Sequence, residues 1–135
     1  MKILLIDDDA IFRQTLARTL TRRGCVCVEA VDSAQALLEL QAHLPDACVL
    51  DLRMGNESGL QLLPQLLAIK SELNVLMLTG YSSIATTVEA IKRGAVNYLA
   101  KPASADDILR ALKNASSSSD PEPRSAGQDA LSVDR

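Results

Sequence analysis

Apolar positions along the chain alternate between two rhythms. Ile3-Leu4-Leu5-Ile6 is an unbroken run, as a strand covered on both faces requires. Phe12, Leu16 and Leu20 then recur every fourth residue. That spacing predicts a helix, with Arg13, Arg18, Arg22 and Arg23 on its outer side and Gly24 closing it. Residues 25–31 read as a second strand. Asp32 or Ser33 caps the next helix, which carries Leu37 and Leu40. Residues 47–50 form a third strand that ends at Asp51. A loop with Gly55, Asn56, Ser58 and Gly59 follows, and Leu63, Leu66 and Leu67 mark a third helix. Pro64 lies inside that helix and is expected near its first turn or at a kink. Residues 75–78 are a fourth strand. Ile84, Val88 and Ile91 mark a fourth helix, closed by Gly94, and residues 96–100 are a fifth strand. Ser104, with Asp107 three residues on, has the pattern of a capping box ahead of a last helix with Ile108 and Leu112.

Five strands alternating with five helices predict an α/β fold: a doubly wound (βα)5 parallel sheet covered on both faces, with right-handed crossovers. Ligands of such sheets bind beyond the carboxyl ends of the strands. From Ser116 the rhythm stops. Four serines followed by Asp120-Pro121-Glu122-Pro123 read as a linker. The domain is therefore assigned to residues 1–115 and the linker to residues 116–135.

Composition narrows the classes of function. The chain has 135 residues, 47% of them hydrophobic and 23% charged, which suits one soluble domain with a real core. Its net charge is −3, and the segment from Ser116 holds four acids against two bases. The body is thus nearly neutral, which argues against a grip on nucleic acid and fits docking on proteins. No apolar run approaches a membrane span. The first apolar run is too short for a signal-peptide core, so a cytoplasmic location is expected. Cys25 and Cys27 lie two apart and share a strand face. With Cys48 they read as small buried hydrophobes. No pairs at zinc spacing occur. His43 reads as surface and is not nominated as a phosphodonor.

The strand ends carry the candidate chemistry. The first strand delivers Asp7, Asp8 and Asp9, the third Asp51, the fourth Thr79 and Gly80, and the fifth Lys101 and Pro102. Clustered carboxylates repel one another unless a cation intervenes. Hard oxygen ligands suit Mg²⁺, which takes one or two carboxylates and keeps several waters. Asp51 can then act as a nucleophile and form an acyl phosphate. Lys101 adds positive charge for phosphoryl oxygens, Thr79 a hydroxyl donor, and Gly80 room. Taken singly, each of these residues reads as an ordinary turn or cap, and Asp9 fits the cap of the first helix. Their coincidence on one rim is what points to function.

At these residues the chain resembles the CheY-like receiver domains of two-component response regulators. The motifs are the acids after the first strand, Leu50-Asp51-Leu52-Arg53-Met54, Leu78-Thr79-Gly80 and Tyr98-Leu99-Ala100-Lys101-Pro102. Residues 80–86 and 94–103 look nearer still to the RegA/PrrA (ActR, RoxR) group of redox-responsive transcriptional regulators. The resemblance implies a flavodoxin-like sheet order 2-1-3-4-5 and Asp51 as phosphoacceptor. It implies Mg²⁺ held by Asp8, Asp51 and the backbone carbonyl of Arg53, with Asp7 acting through water. Thr79 and Lys101 are implied to touch the phosphoryl group, Tyr98 to report it by rotating, and Lys101-Pro102 to be a cis peptide. Arg53 and Tyr81 flank the site and are expected to tune water access. The implied partners are a sensor histidine kinase, a second receiver on phosphorylation, and DNA only through a helix-turn-helix domain beyond Arg135. The domain would catalyse nothing but its own phosphorylation and dephosphorylation. One departure is Gly55, where most receivers carry proline after the methionine.

Three rival readings fit the sequence less well. Asp7-Asp8-Asp9 contains the Asp-x-Asp pattern of haloacid-dehalogenase phosphatases, with Asp7 as nucleophile, but the chain is short and lacks a second acidic pair after the fourth strand. A flavin or dinucleotide site needs a glycine- or hydroxyl-rich cradle after the first strand, where three acids stand instead. A degenerate receiver used only as a scaffold would not need the full set of acids, threonine and lysine.

Overall fold

The computed structural model describes residues 1–80 and 83–117. Five parallel strands form one sheet: β1 (Lys2–Ile6), β2 (Val26–Ala30), β3 (Ala47–Leu50), β6 (Asn74–Thr79) and β7 (Asn97–Ala100). Their order is β2-β1-β3-β6-β7. With the two minor strands between β3 and β6 set aside, this is the expected 2-1-3-4-5. Alternate residues of each strand face opposite sides. Ile3, Leu5, Ala47, Val49, Leu76 and Leu78 pack with helices α1 (Ala10–Arg22) and α5 (Ala105–Ser117). Leu4, Ile6, Cys48, Leu50, Val75 and Met77 pack on the other side, against α2 (Ser33–His43), α3 (Gly59–Ile69) and α4 (Ile84–Lys92). Each buried Leu, Ile, Val or Met among these contributes roughly 1.5–3 kcal/mol. Together the two clusters hold the strand ends in fixed register.

Helix starts follow from local chemistry. Asp9, Asp32, Ser58 and Ser83 each accept a backbone N–H of the helix they precede. The predicted box before α5 is present, with Ser104 Oγ accepting the Asp107 N–H and Asp107 accepting the Ser104 N–H.

Several expectations need correction. The loop after Asp51 is a hairpin, with β4 (Arg53–Met54) antiparallel to β5 (Glu57–Ser58). Strands of two residues leave no alternation to read. Its turn begins at Gly55 with φ of 61°, which proline, locked near about −65°, cannot adopt. The departure at Gly55 therefore has a structural counterpart. Pro64 is the sixth residue of α3, beyond its first turn. It leaves the Leu60 carbonyl without a helix donor, and Arg93 Nη1 donates to that oxygen at 2.8 Å. Arg13 is not on the outer side; it is 7% exposed. Ile84, Val88 and Ile91 do mark a helix, but they face outward, at 85%, 47% and 47% exposure. Helix α5 continues to Ser117, past the boundary drawn at residue 115. The rest of the expected linker lies outside the described residues.

Candidate functional site

Backbone bonds bring the rim together. The Asp51 N–H donates to the Ile6 carbonyl at 3.1 Å, which sets Asp51 beside the acids that follow β1. Thr79 pairs with Ala100 in register, and the Lys101 N–H donates to the Thr79 carbonyl at 2.9 Å. The Lys101-Pro102 peptide is cis. Asp8, Asp9, Asp51, Arg53, Gly55 and Lys101 line one concavity of about 350 Å³. Asp7, Asp51 and Thr79 are buried, while Asp8 is exposed.

The floor of that concavity is fixed closely. Gly59, the first residue of α3, donates to the Leu52 carbonyl at 2.7 Å. A Cβ on Gly59 would fall 2.1 Å from the Asp51 carbonyl oxygen, so only glycine lets α3 start so near the acid. Glu57 anchors the hairpin elsewhere, accepting the Ser33 N–H at the start of α2 at 2.8 Å. A carboxylate there is also favoured by the helix dipole. No periodicity marks either role.

Charges on the rim are distributed unevenly. Lys101 Nζ donates to Asp7 Oδ2 at 2.8 Å and lies 3.5 Å from Asp51 Oδ2. Asp7 Oδ1 accepts the Asp9 N–H at 2.9 Å. Both Asp7 oxygens are therefore engaged, whereas Asp51 Oδ1 is buried without a hydrogen-bond partner. Burial pushes the Asp7 carboxyl above its ordinary range, and the charge of Asp51 adds to this. The Lys101 and Asp9 hydrogen bonds offset only part of it. Burial pulls the Lys101 ammonium down, but its bond to Asp7 and the charges of Asp7 and Asp51 outweigh that and leave it raised. Beneath Lys101 lies the Phe12 ring, its centroid 4.3 Å from Nζ. This cation–π contact is worth about 0.5–2 kcal/mol. It was missed because Phe12 was read only as part of a core stripe.

One oxygen from each of Asp7, Asp8 and Asp51 comes within 4.8 Å of the others. Three hard oxygens this close, on residues one of which carries a buried oxygen with no hydrogen-bond partner among the described residues, fit a divalent cation. Asp9 does not take part; its carboxylate caps α1 through the Phe12 N–H at 3.1 Å. Tyr98, on β7 opposite Met77, is half-buried, and its hydroxyl lies 3.2 Å from Thr86 Oγ1. Thr86 also belongs to the capping box of α4. Tyr81 lies outside the described residues. The three cysteines are unpaired, and burial pushes the Cys27 and Cys48 thiols up, away from reactivity. No helix among the described residues is long and apolar enough to cross a membrane.

Residues 3–113 match the family model of the response regulator receiver domain. The acid tolerance regulatory protein ActR of Sinorhizobium medicae is 42% identical over 110 residues, covering 82% of this chain and 57% of ActR. The photosynthetic apparatus regulatory protein RegA of Rhodobacter capsulatus is 38% identical over 135 residues, covering 98% of this chain and 70% of RegA. The chain thus spans little more than half of ActR's length. A solved response regulator from Burkholderia pseudomallei, which carries a phosphorylated aspartic acid, a calcium ion and citrate, aligns with a TM-score of 0.81 at 45% identity. That alignment covers 90% of this chain and 72% of the other. These relatives lend no support to the phosphatase reading. A parallel sheet of this order, with acids, threonine and lysine on one rim and this set of relatives, leads to one conclusion: the chain belongs to the receiver-domain family of two-component response regulators.

Proposed function

We propose that Asp51 accepts a phosphoryl group from the phosphohistidine of a sensor histidine kinase, in a reaction that requires Mg²⁺. The observation that carries this is the contrast between two acids. Asp51 Oδ1 is buried with no partner, while both oxygens of Asp7 are engaged. A nucleophile needs a lone pair free to attack, so Asp51 suits that role and Asp7 does not. In the reaction an Asp51 oxygen forms the new P–O bond as the P–N bond to the donor imidazole breaks. The imidazole nitrogen leaves with the electron pair and takes a proton from solvent.

Asp8, Asp51 and the Arg53 carbonyl would hold Mg²⁺ directly, and Asp7 would reach it through water because Lys101 and Asp9 already occupy its oxygens. Bound Mg²⁺ supplies charge neutralisation between carboxylate and phosphoryl oxygens. Lys101, 2.8 Å from Asp7 and 3.5 Å from Asp51, would offer its ammonium to the phosphoryl group. Thr79 donates its hydroxyl, and Arg53 and Tyr81 govern water access. Movement of Thr79 then shifts Tyr98 between two populated positions. The outward stripe of Ile84, Val88 and Ile91 supports a receiver–receiver contact as the output. Residues 116–135 would link this receiver, in the cytoplasm, to a DNA-binding domain that regulates transcription.

Intact-mass measurement with acetyl phosphate tests the core of this. Wild type is expected to gain one phosphate only with Mg²⁺ present, and Asp51→Asn to gain none. Normal labelling of Asp51→Asn, with loss in Asp7→Asn, would transfer the role to Asp7.

A further inference from the structure

The geometry points to Arg13 as a positioning residue for Mg²⁺, one that orients the Asp7–Asp8 peptide and through it the Asp8 carboxylate. This rests on the reading of the acid rim as a Mg²⁺ site. Arg18, Arg22 and Arg23, the other arginines of this helix and its cap, are exposed; Arg13 is 7% exposed. A buried guanidinium must be matched by partners, and Arg13 has two, one on β2 and one in the turn after β1. Its Nε donates to Glu29 Oε1 on β2 at 2.8 Å, and its Nη1 donates to the Asp7 carbonyl at 2.7 Å. An ion pair alone does not require burial: Arg23 and Asp106 pair while both stay well exposed. The Asp7 carbonyl is the partner that lies inside.

That carbonyl oxygen shares a rigid plane with the Asp8 N–H, so fixing it fixes where the Asp8 Cα sits and leaves only φ and the side-chain torsions to aim the carboxylate. The three acids differ in what holds them. Asp7 is held by Lys101 and the Asp9 N–H, and Asp51 by burial at the end of β3. Asp8 is exposed, and no group among the described residues hydrogen-bonds its carboxylate. Its backbone is therefore what aims it, and Arg13 holds that backbone. The expected cost of losing such a support is that of outer-shell partners at metal sites, about tenfold in affinity.

The test is calorimetric titration of Mg²⁺ into the whole chain. The double variant Arg13→Met, Glu29→Met removes both charges together, so that no buried charge is left unpaired and the Asp7 carbonyl alone loses its donor. Its Mg²⁺ Kd is expected to weaken about tenfold, with phosphorylation by acetyl phosphate returning to the wild-type rate at saturating Mg²⁺. Glu29→Gln breaks the ion pair but keeps the bond to Asp7, and its Kd is expected to stay within about twofold of wild type. A double variant that folds and binds Mg²⁺ like wild type overturns the role, as does equal weakening in Glu29→Gln. If the double variant does not fold, Arg13→Lys decides. Its single ammonium cannot serve both partners in the same geometry, and an unchanged Kd there overturns the role too. Failure of wild type to bind Mg²⁺ would instead sink the reading of the rim itself.

Discussion

Helices α1 and α4 both begin at the rim, yet they are held in opposite ways. Helix α1 buries Arg13, Leu16, Ala17 and Leu20, and its neighbour β1 is buried from Ile3 to Ile6. Helix α4 buries only Ala90, and no residue of the adjacent β7 is fully buried. Asp7, Asp8 and Asp51, the acids proposed to hold the metal and accept the phosphoryl group, thus follow strands buried along nearly their whole length. Tyr98 and the stripe on α4, proposed to change, stand where few apolar contacts resist. A segment with low contact density opens at low free energy, which is what a switch surface requires and a reaction centre cannot tolerate.

Paired truncations put the largest strain on this comparison. Leu20→Ala on α1 removes a fully buried side chain and is expected to cost about 3 kcal/mol. Ile91→Ala on α4 removes one that is 47% exposed and should cost no more than about 0.5 kcal/mol. Urea unfolding of both variants measures the ratio, and similar costs would erase the distinction between the two sides. A smaller effect is expected at Tyr98. Tyr98→Phe deletes the hydroxyl that meets Thr86, a loss of about 1 kcal/mol. Amide exchange should quicken through α4 and stay unchanged in α1. Uniform quickening would mean that Tyr98 belongs to the global core rather than to a local switch.

How much of this was legible in the sequence depended on the range of the interaction. Asp51, Thr79 and Lys101 each follow a strand directly, so apolar runs and the sheet's topology were enough to place them on one edge. Asp9, Ser104 and Asp107 act on backbone within three residues and were equally readable. Arg13 and Phe12 were not, because their partners Glu29, Asp7 and Lys101 lie on β2 or just beyond β1 and β7. An arginine next to an apolar stripe reads as surface until something inside is found for it to hold. The α4 stripe shows a different limit. A period of four residues reveals a helix, but it does not say whether the chain's own sheet or another molecule covers the apolar face. Gly55 showed as a departure from the family pattern, whereas the hairpin it turns has strands too short to carry a signal.

The smallest effect concerns pH and should differ in sign between the two sides. Burial raises the Asp7 carboxyl above its ordinary value, so the folded protein binds that proton more tightly than the unfolded chain does. Its favourable contribution is complete below the unfolded pKa of about 4 and fades as pH rises through the folded value. Asp7→Asn cannot ionise. The stability of wild type relative to Asp7→Asn, without metal, is therefore expected to fall as pH rises across that window. Glu89 on α4 is the opposite case, since its hydrogen bond to Arg93 holds it below the ordinary range. Its contribution is present above the unfolded pKa and is lost as pH falls through the folded value, so wild type relative to Glu89→Gln should gain stability as pH rises. Glu89 is exposed, and solvent screening will keep that gain small. Urea unfolding of the three proteins between about pH 3 and pH 7 reads both trends. If both differences moved in the same direction, the acids at the rim would be ordinary surface carboxylates. The strained cluster that Mg²⁺ is proposed to relieve would not exist.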